Sequence, residues 1–328
     1  MKFINDHTVR LSVRELVEFV LREGDIDNRR THPAITDAML TGTMAHQKIQ
    51  RSMGGNYQAE AALFLSREMK SGIVLELDGR ADGIISDFDG EETVPSAYCI
   101  DEIKGVFRDV DLMEDAVPVH LAQAECYACM LARDLGLKEV HVQVTYVQLD
   151  INEKTMQPEV TDKLRRFVFH YTQEEIEEKT GGYAKLYEKW AVFILEHRKA
   201  RALSSDGFPF PFDYRPGQKK IVSQVYKTID NSGRLFVQAP TGIGKTLSML
   251  YPSVRATGAG LAERIFYLTA KTVTSNVAEE GMTLMEERGL RFSHVKITAK
   301  EKMCPEEKMM CDPVHCERAD GHFSRINE

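Results

Sequence analysis

The residues Ala239, Pro240, Thr241, Gly242, Ile243, Gly244, Lys245 and Thr246 form a glycine-rich phosphate loop with Ala in its first position. Backbone N–H groups around Gly242 and Gly244 can surround phosphate oxygens because no side chain obstructs them. Lys245 reaches the β and γ phosphates of a nucleoside triphosphate, and Thr246 binds its Mg²⁺. A helix beginning at the loop's end points its positive N-terminus at the same anion. The competing reading is a chance glycine turn, and a strand before the loop with a helix after it argues against that.

A second set of residues suits hydrolysis of a phosphodiester. Such hydrolysis uses a divalent cation to polarise the phosphate and to lower the pKa of an attacking water. Hard Mg²⁺ or Mn²⁺ takes oxygen ligands, and Asp82, in Gly79-Arg-Ala-Asp-Gly83, and Glu102, in Asp101-Glu-Ile-Lys104, are the candidate carboxylates. In a strand, Glu102 and Lys104 project on one face, so one can hold metal while the ammonium steers water and stabilises developing charge. Asp101 is a rival for the carboxylate role; Glu102 keeps the two-residue spacing to the lysine. Two further pairs, Gly42-x-x-x-His46 and Gln123-x-x-x-Tyr127, each share one helix face. Taken singly, His46 reads as a helix-surface histidine, Asp82 as a turn residue and Tyr127 as core filler.

The cysteines fall into two groups. Cys99, Cys126 and Cys129 lie among apolar residues and read as small buried side chains. Cys304, Cys311 and Cys316 crowd a polar segment containing Pro305 and Pro313, with His322 six residues beyond Cys316. In a chain without secretory signals, crowded thiols suit a metal or iron–sulfur cluster better than disulfides. An iron–sulfur cluster normally takes four thiolates. The fourth ligand is therefore His322 or a cysteine beyond these residues. Zinc held as Cys₃His is the alternative, and three free thiols in a loop is the bland reading.

Apolar periodicity predicts helices over residues 11–23, 34–53 and 118–135, and strands over 73–77, 98–103, 141–149 and 164–171. Turn signals stand at Asp78-Gly79, at Asp87 to Glu92 with Gly90, and over 151–160. A long charged helix over about 173–202, interrupted at Gly181-Gly182, precedes a Pro/Gly/Ser-dense stretch, SSDGFPFPFDYRPG, that places a domain boundary near residue 205. Beyond it, Leu235 to Val237, the phosphate loop, a helix over 246–256 and a strand at Ile265 to Leu268 read as the start of a parallel nucleotide-binding sheet.

The chain has 328 residues, enough for two domains, with 43% hydrophobic and 28% charged residues, as in soluble globular proteins. No apolar run reaches the roughly 18 residues that a membrane span needs. The N-terminal MKFINDHTVRLSVREL has no signal-peptide core, so a cytoplasmic location is expected. The net charge of −8 argues against a simple DNA coat, although a basic cleft can coexist with an acidic exterior.

Four motifs in order, Gly42-x-x-x-His46, Gly79-Arg-Ala-Asp-Gly83, Asp101-Glu-Ile-Lys104 and Gln123-x-x-x-Tyr127, resemble those of RecB-like PD-(D/E)XK nucleases over residues 1–205. That resemblance implies an α/β nuclease core. It adds His46 and the backbone carbonyl of Ile103 as metal ligands beside Asp82 and Glu102, with Gln123 and Tyr127 orienting DNA and Lys104. Residues 206–328 resemble the opening of a DinG/XPD-like superfamily 2 helicase: Ala239 to Thr246 as motif I, Tyr214-Arg-Pro-Gly-Gln218 upstream, and Leu268-Thr-Ala-Lys-Thr272 as motif Ia. By that resemblance this part begins a RecA-like P-loop NTPase domain with a cysteine-rich insertion over 300–328. Gln218 contacts adenine, Thr269 and Lys271 face the nucleic acid, and Cys304, Cys311 and Cys316 belong to a 4Fe–4S cluster. The resemblance implies DNA as partner, single-stranded or with single-stranded ends, and a role in repair or processing. A D-E-x-H box and a second motor domain are expected of a whole helicase and do not occur in these residues, so the chain reads as a fragment or natural truncation of a nuclease–helicase fusion. The rival reading is a non-catalytic DNA-binding, iron–sulfur-bearing module with a degenerate nuclease site.

Overall fold

A computed structural model describes residues 1–28, 35–88, 97–152, 154–270 and 272–327. It divides into two compact units, residues 1–192 with 308–328, and residues 193–307. The division falls inside a long helix rather than in the Pro/Gly-rich stretch near residue 205, and the last cysteines return to the first unit.

The first unit is built on a mixed seven-stranded sheet. Its strands are β1 (Lys2–Phe3), β2 (Thr8–Ser12), β3 (Tyr57–Glu68), β4 (Val74–Phe88), β5 (Ala97–Val106), β6 (Glu139–Ile151) and β7 (Pro158–Thr172). The order is β1-β2-β4-β5-β6-β7, with β3 also pairing β4. β2 runs parallel to β4, and β5 parallel to β6; the other pairs are antiparallel. The helices are α1 (Val13–Leu21), α2 (Ile35–Ser52), α3 (Pro118–Leu135) and α4 (Gln173–Ser205). β6 is buried along nearly its whole length, as a Val-rich strand flanked on both edges should be. Ala45 and Ile49 of α2 pack on Ile103, Val147 and Leu149. On the α3 side, Val144 and Tyr146 pack with Val110, Met113 and Ala116. Strand alternation thus sends Ile103 toward α2 and its neighbours Glu102 and Lys104 to the other face.

Several expectations are corrected. Asp78-Gly79 is not a turn: β4 runs through it, because Gly79 and Gly83 serve the strand by making room for aromatic rings. A Cβ on Gly79 would lie 2.5 Å from the Tyr127 hydroxyl, and one on Gly83 would lie 1.9 Å from that of Tyr57. α4 is not interrupted at Gly181-Gly182; Gly181 lets Arg67 close on the helix, since a Cβ there would meet its guanidinium at 2.8 Å. The helix expected from residue 11 begins at Val13, after strand β2 and a Ser12–Glu15 capping box. The turn expected at Asp87 to Glu92 lies largely outside the described residues.

The second unit contains α5 (Gln218–Asp230), α6 (Lys245–Gly258), α7 (Thr272–Glu287) and the short α8 (Lys300–Met303); α9 (His322–Arg325) belongs to the first. Its core gathers Phe208, Leu250, Tyr251, Val254, Met282, Met285 and Leu290, with the Tyr251 hydroxyl donating to the Phe208 carbonyl at 2.7 Å. The strands expected at 235–237 and 265–268 are not formed. Both segments lack strand partners among the described residues, and Phe236, Phe266 and Leu268 are exposed. An apolar alternating segment becomes a strand only when a neighbour takes its backbone groups and a layer covers its side chains.

Candidate metal centre and phosphate loop

The pairing of β4 with β5 ends at Gly83 and Asp101, and past that point the two strands part. The Ile103 N–H, which no longer meets a β4 carbonyl, donates instead to Asp82 Oδ2 at 2.7 Å. The other oxygen of that carboxylate, Oδ1, lies 3.1 Å from His46 Nδ1 on α2. Burial pulls the His46 pKa down, but the bond to Asp82 and its charge win, and the net shift is upward.

Glu102 is fully buried, and its Oε1 accepts from Lys104 Nζ. Its other oxygen, Oε2, has no hydrogen-bond partner. Desolvation pushes the Glu102 carboxyl up to about 7, against the pull of Lys104 and with the push of Asp82. A buried carboxylate with one orphaned oxygen is costly unless something else binds it. Asp82 and His46 are groups that could hold a divalent cation; Glu102, expected as a ligand, lies beside them but outside the set of ligand atoms that come together.

Asp101 is engaged elsewhere. It accepts from Thr145 Oγ1 at 2.6 Å, Gln143 Nε2 at 3.0 Å and Tyr57 Oη at 3.3 Å, on the opposite face of β5. Tyr127 is buried over Gly79, and its hydroxyl is pushed up by burial and by the charge of Glu102, while a bond to Gln123 eases it down. The pair on α3 therefore stands beside the Glu102 carboxylate. At the start of α3, burial together with the charges of Lys104, Arg108 and Arg14 pushes His120 down to about 4. The side chain of His120 bonds Tyr146 Oη through Nδ1 at 3.0 Å.

One residue of this centre carries no sequence signal. Glu60 of β3 offers a carboxylate oxygen within 4.8 Å of ligand atoms of both His46 and Asp82. The sequence analysis places no strand over 57–68, whose alternation starts with small residues, so Glu60 has no motif to stand in. The register of β3 against β4, with Ala59 opposite Gly83 and Ala61 opposite Ala81, is what delivers it.

In the second unit the phosphate loop and the Tyr214–Gln218 segment meet. Gly242 and Gly244 have φ of +83° and +78°, conformations that favour glycine. Gly244 caps α6, so the helix starts at Lys245 with its free N–H groups at the loop. Lys245 Nζ donates to the carbonyls of Ala239 at 3.0 Å and Pro240 at 2.9 Å. Gln218 is buried; its Oε1 accepts from the Arg215 N–H at 3.0 Å, and its Nε2 lies 2.8 Å from where a Gly244 Cβ would stand. The Arg215 guanidinium donates to the Gly242 carbonyl. Thr246 lies in the first turn of α6 and Thr269 in an extended exposed segment. Lys271 lies outside the described residues.

The cysteine segment is divided between the two units. Cys304 belongs to the second unit; Cys311, Cys316 and His322 belong to the first, and all six cysteines are free thiols. Among the described residues, the set of three metal-ligating side chains that comes together is His46, Glu60 and Asp82. Cys311 is instead tied by backbone to Asn28, donating to its Oδ1 at 2.9 Å and accepting its N–H at 3.0 Å. Cys126 and Cys129 are buried, as expected of small core residues.

Among the described residues no helix is long and apolar enough to cross a membrane. No family model and no solved structure matches the chain. A stretch of 47 residues, 14% of the chain, is 45% identical to a protein of Methanocaldococcus jannaschii described as a probable ATP-dependent helicase. The chain covers only 7% of that relative's length, so the likeness is to a segment of a helicase and reaches no further.

Proposed function

We propose that the chain is a divalent-metal-dependent deoxyribonuclease joined to an ATP-binding helicase segment of the DinG/XPD type, acting in DNA repair or processing on single-stranded DNA or single-stranded ends. The observation that carries the nuclease reading is the meeting of four chemically matched groups where β4 and β5 part. Asp82 is oriented by the Ile103 N–H and faces His46, beside a buried Glu102 that is paired with Lys104 and has one oxygen unsatisfied.

A bound Mg²⁺ or Mn²⁺ would polarise the scissile phosphate and lower the pKa of the attacking water. The imidazole of His46 in the set favours Mn²⁺ over an all-oxygen preference for Mg²⁺. Lys104, held by Glu102, keeps an ammonium beside the place where negative charge develops. Tyr127 and Gln123 wall the Glu102 side. Lys104, Arg108 and Arg14, whose charges converge on His120, supply positive potential for a phosphate backbone despite the chain's overall charge of −8.

The helicase reading is supported by the short likeness to a helicase and by the packing of Gln218 and Arg215 against the phosphate loop. ATP would bind through the loop N–H groups, Lys245 and Thr246, with Gln218 toward adenine and Thr269 and Lys271 toward DNA. For Cys304, Cys311, Cys316 and His322, iron–sulfur ligation is proposed over zinc on residue type and spacing alone. Iron, acid-labile sulfide and zinc analysis after anaerobic purification tests that assignment, and stoichiometric zinc without iron overturns it.

The decisive experiment incubates the purified chain with end-labelled single- and double-stranded DNA in Mn²⁺, Mg²⁺ or EDTA. Cleavage that requires metal and is lost in Asp82→Ala and Lys104→Ala supports the nuclease. Wild-type cleavage by both variants, or no cleavage by the folded chain under any metal, overturns it.

A further inference from the structure

Glu60 stands outside every motif of the sequence, yet β3 brings it to the metal centre. One ligand atom each from His46, Glu60 and Asp82 lies within 4.8 Å of the others. Three ligands bonded at about 2.1 Å to one ion stand at most about 3.6 Å apart when evenly spread, so a side-chain adjustment on the order of an ångström closes the set. Asp82 is poised for this geometry. Its Oδ2 is occupied by the Ile103 N–H, which leaves Oδ1 toward His46. Gln50 Nε2 donates both to Glu60 Oε1 and to the Asp82 carbonyl, 3.0 Å each, and so couples the Glu60 carboxylate to the Asp82 backbone.

A second observation comes from Glu102. Glu102 is fully buried, keeps Oε2 without any hydrogen-bond partner, and its charge acts on both Asp82 and His46. Glu60 and Asp82 thus face one imidazole, with the charge of the buried Glu102 acting on the same groups, and a divalent cation would offset that negative charge. The backbone tells the same way: Glu60 sits at φ +53°, a left-handed conformation that a glutamate seldom adopts and a glycine adopts freely.

We propose that Glu60 is a ligand of the divalent cation at this centre, completing with His46 and Asp82 a mixed imidazole–carboxylate set suited to Mn²⁺. This rests on the metal-centre reading above, and it adds a ligand from β3 that the nuclease motifs do not supply.

The test is Mn²⁺ titration of the metal-free full chain by calorimetry and by electron paramagnetic resonance of free Mn²⁺, without substrate. Asp82→Asn should abolish tight binding. Glu60→Gln should weaken Mn²⁺ binding by roughly tenfold or more, the scale on which metal sites respond to lost partners. Glu60→Gly should weaken it equally while raising the thermal midpoint of the metal-free chain, because glycine accepts the left-handed backbone. A merely structural Glu60 would not give that opposition of signs. If both Glu60 variants bind Mn²⁺ as the wild type does while Asp82→Asn does not, Glu60 is no ligand and the nuclease centre stands without it. If Asp82→Asn also binds as the wild type does, the centre and the proposal fall together.

Discussion

The backbone N–H of Ile103 donates to Asp82 Oδ2 across 2.7 Å, so the strand that carries Glu102 and Lys104 also sets the orientation of its neighbour's carboxylate. The orientation of the Asp82 carboxylate and the placement of the lysine are therefore coupled through one short stretch of β5. Separate loops would not hold them to each other so closely.

Asp82→Asn tests this coupling. The amide oxygen that the substitution introduces can still accept from Ile103, so the fold should lose no more than about 1 kcal/mol, the size of one ordinary hydrogen bond. Metal-dependent cleavage should nevertheless disappear, because an amide is a poor ligand for a hard cation. Urea unfolding alongside a cleavage assay checks both halves. A variant that is inactive only because it is unfolded would contradict the proposed division of roles.

Gly83→Ala should destabilise the first unit by about 1–3 kcal/mol, the usual cost of overpacking. The added Cβ would fall 1.9 Å from the Tyr57 hydroxyl, which cannot swing away without releasing Asp101 Oδ2 and the Asp82 carbonyl. Adding Tyr57→Ala should recover much of that loss, since the clash is with the ring. Gly79→Ala, whose Cβ meets the Tyr127 hydroxyl at 2.5 Å, should behave in the same way toward Tyr127→Ala. A double-mutant cycle measured by chemical denaturation gives the coupling, and strict additivity would show that the rings do not fill the glycine notches.

Part of the proposed centre is legible in the sequence because the proposed chemistry needs fixed residue types at short spacings. Glu102 and Lys104 have to share a strand face, and Gln123 and Tyr127 a helix face, and β5 and α3 place them so. The same reasoning misreads Asp78-Gly79 as a turn, since glycine that yields to a tyrosine ring and glycine that reverses the chain look alike in one dimension. Glu60 is invisible, because it joins the centre through β3–β4 register, a long-range property that no local pattern encodes. Leu235 to Val237 and Ile265 to Leu268 have strand composition but no partner strand among the described residues, and propensity does not form a sheet by itself. The helix from Lys245 can be read from the sequence, because the glycines that shape the loop also end it at a helix N-cap.

In the metal-free chain the contribution of Glu102 to stability should be lost as pH rises from about 4.5 to about 7, opposed by that of His120, whose pKa of about 4 favours the fold as pH rises. Glu102 has its folded pKa raised from an ordinary 4.5 to about 7, so over that window the folded state holds a proton that the unfolded chain has released. His46 is likewise raised, and its contribution is present at low pH and lost as pH passes its folded pKa. Both groups therefore favour the fold on the acid side, and both must lose protons to bind metal. Saturating Mn²⁺ should reverse the trend, stabilising the chain more as pH rises. Glu102→Gln should make the metal-free chain gain more stability than the wild type as pH rises, and should abolish cleavage. Thermal melts of the wild type and of Glu102→Gln across this pH range, with and without Mn²⁺, decide it; metal-free profiles of the same slope in both would contradict the assignment.

The phosphate loop gives the last prediction. Lys245 Nζ bonds the carbonyls of Ala239 and Pro240, so the ammonium already stands over the loop's mouth and needs only to exchange these partners for phosphate oxygens. Lys245→Ala removes a charge-assisted contact of about 1.5–3 kcal/mol, so ATP binding should weaken by roughly tenfold or more. ADP should suffer less, because the γ phosphate is the farther reach of that side chain. Gln218→Ala should act differently. Its Oε1 accepts from the Arg215 N–H and its Nε2 presses on Gly244, so the change loosens the loop's support and also removes the amide proposed to read adenine. The expected sign is a fall in the preference for ATP over GTP, with phosphate binding retained. Gly244→Ala should fail on both counts, since φ is +78° there and the new Cβ would stand 2.8 Å from Gln218 Nε2. Fluorescence titration with labelled ATP and GTP separates these outcomes. Equal binding of ATP by the wild type and by Lys245→Ala would show that the loop does not hold the triphosphate. An unchanged ATP-to-GTP ratio in Gln218→Ala would leave Gln218 as a support for the loop alone.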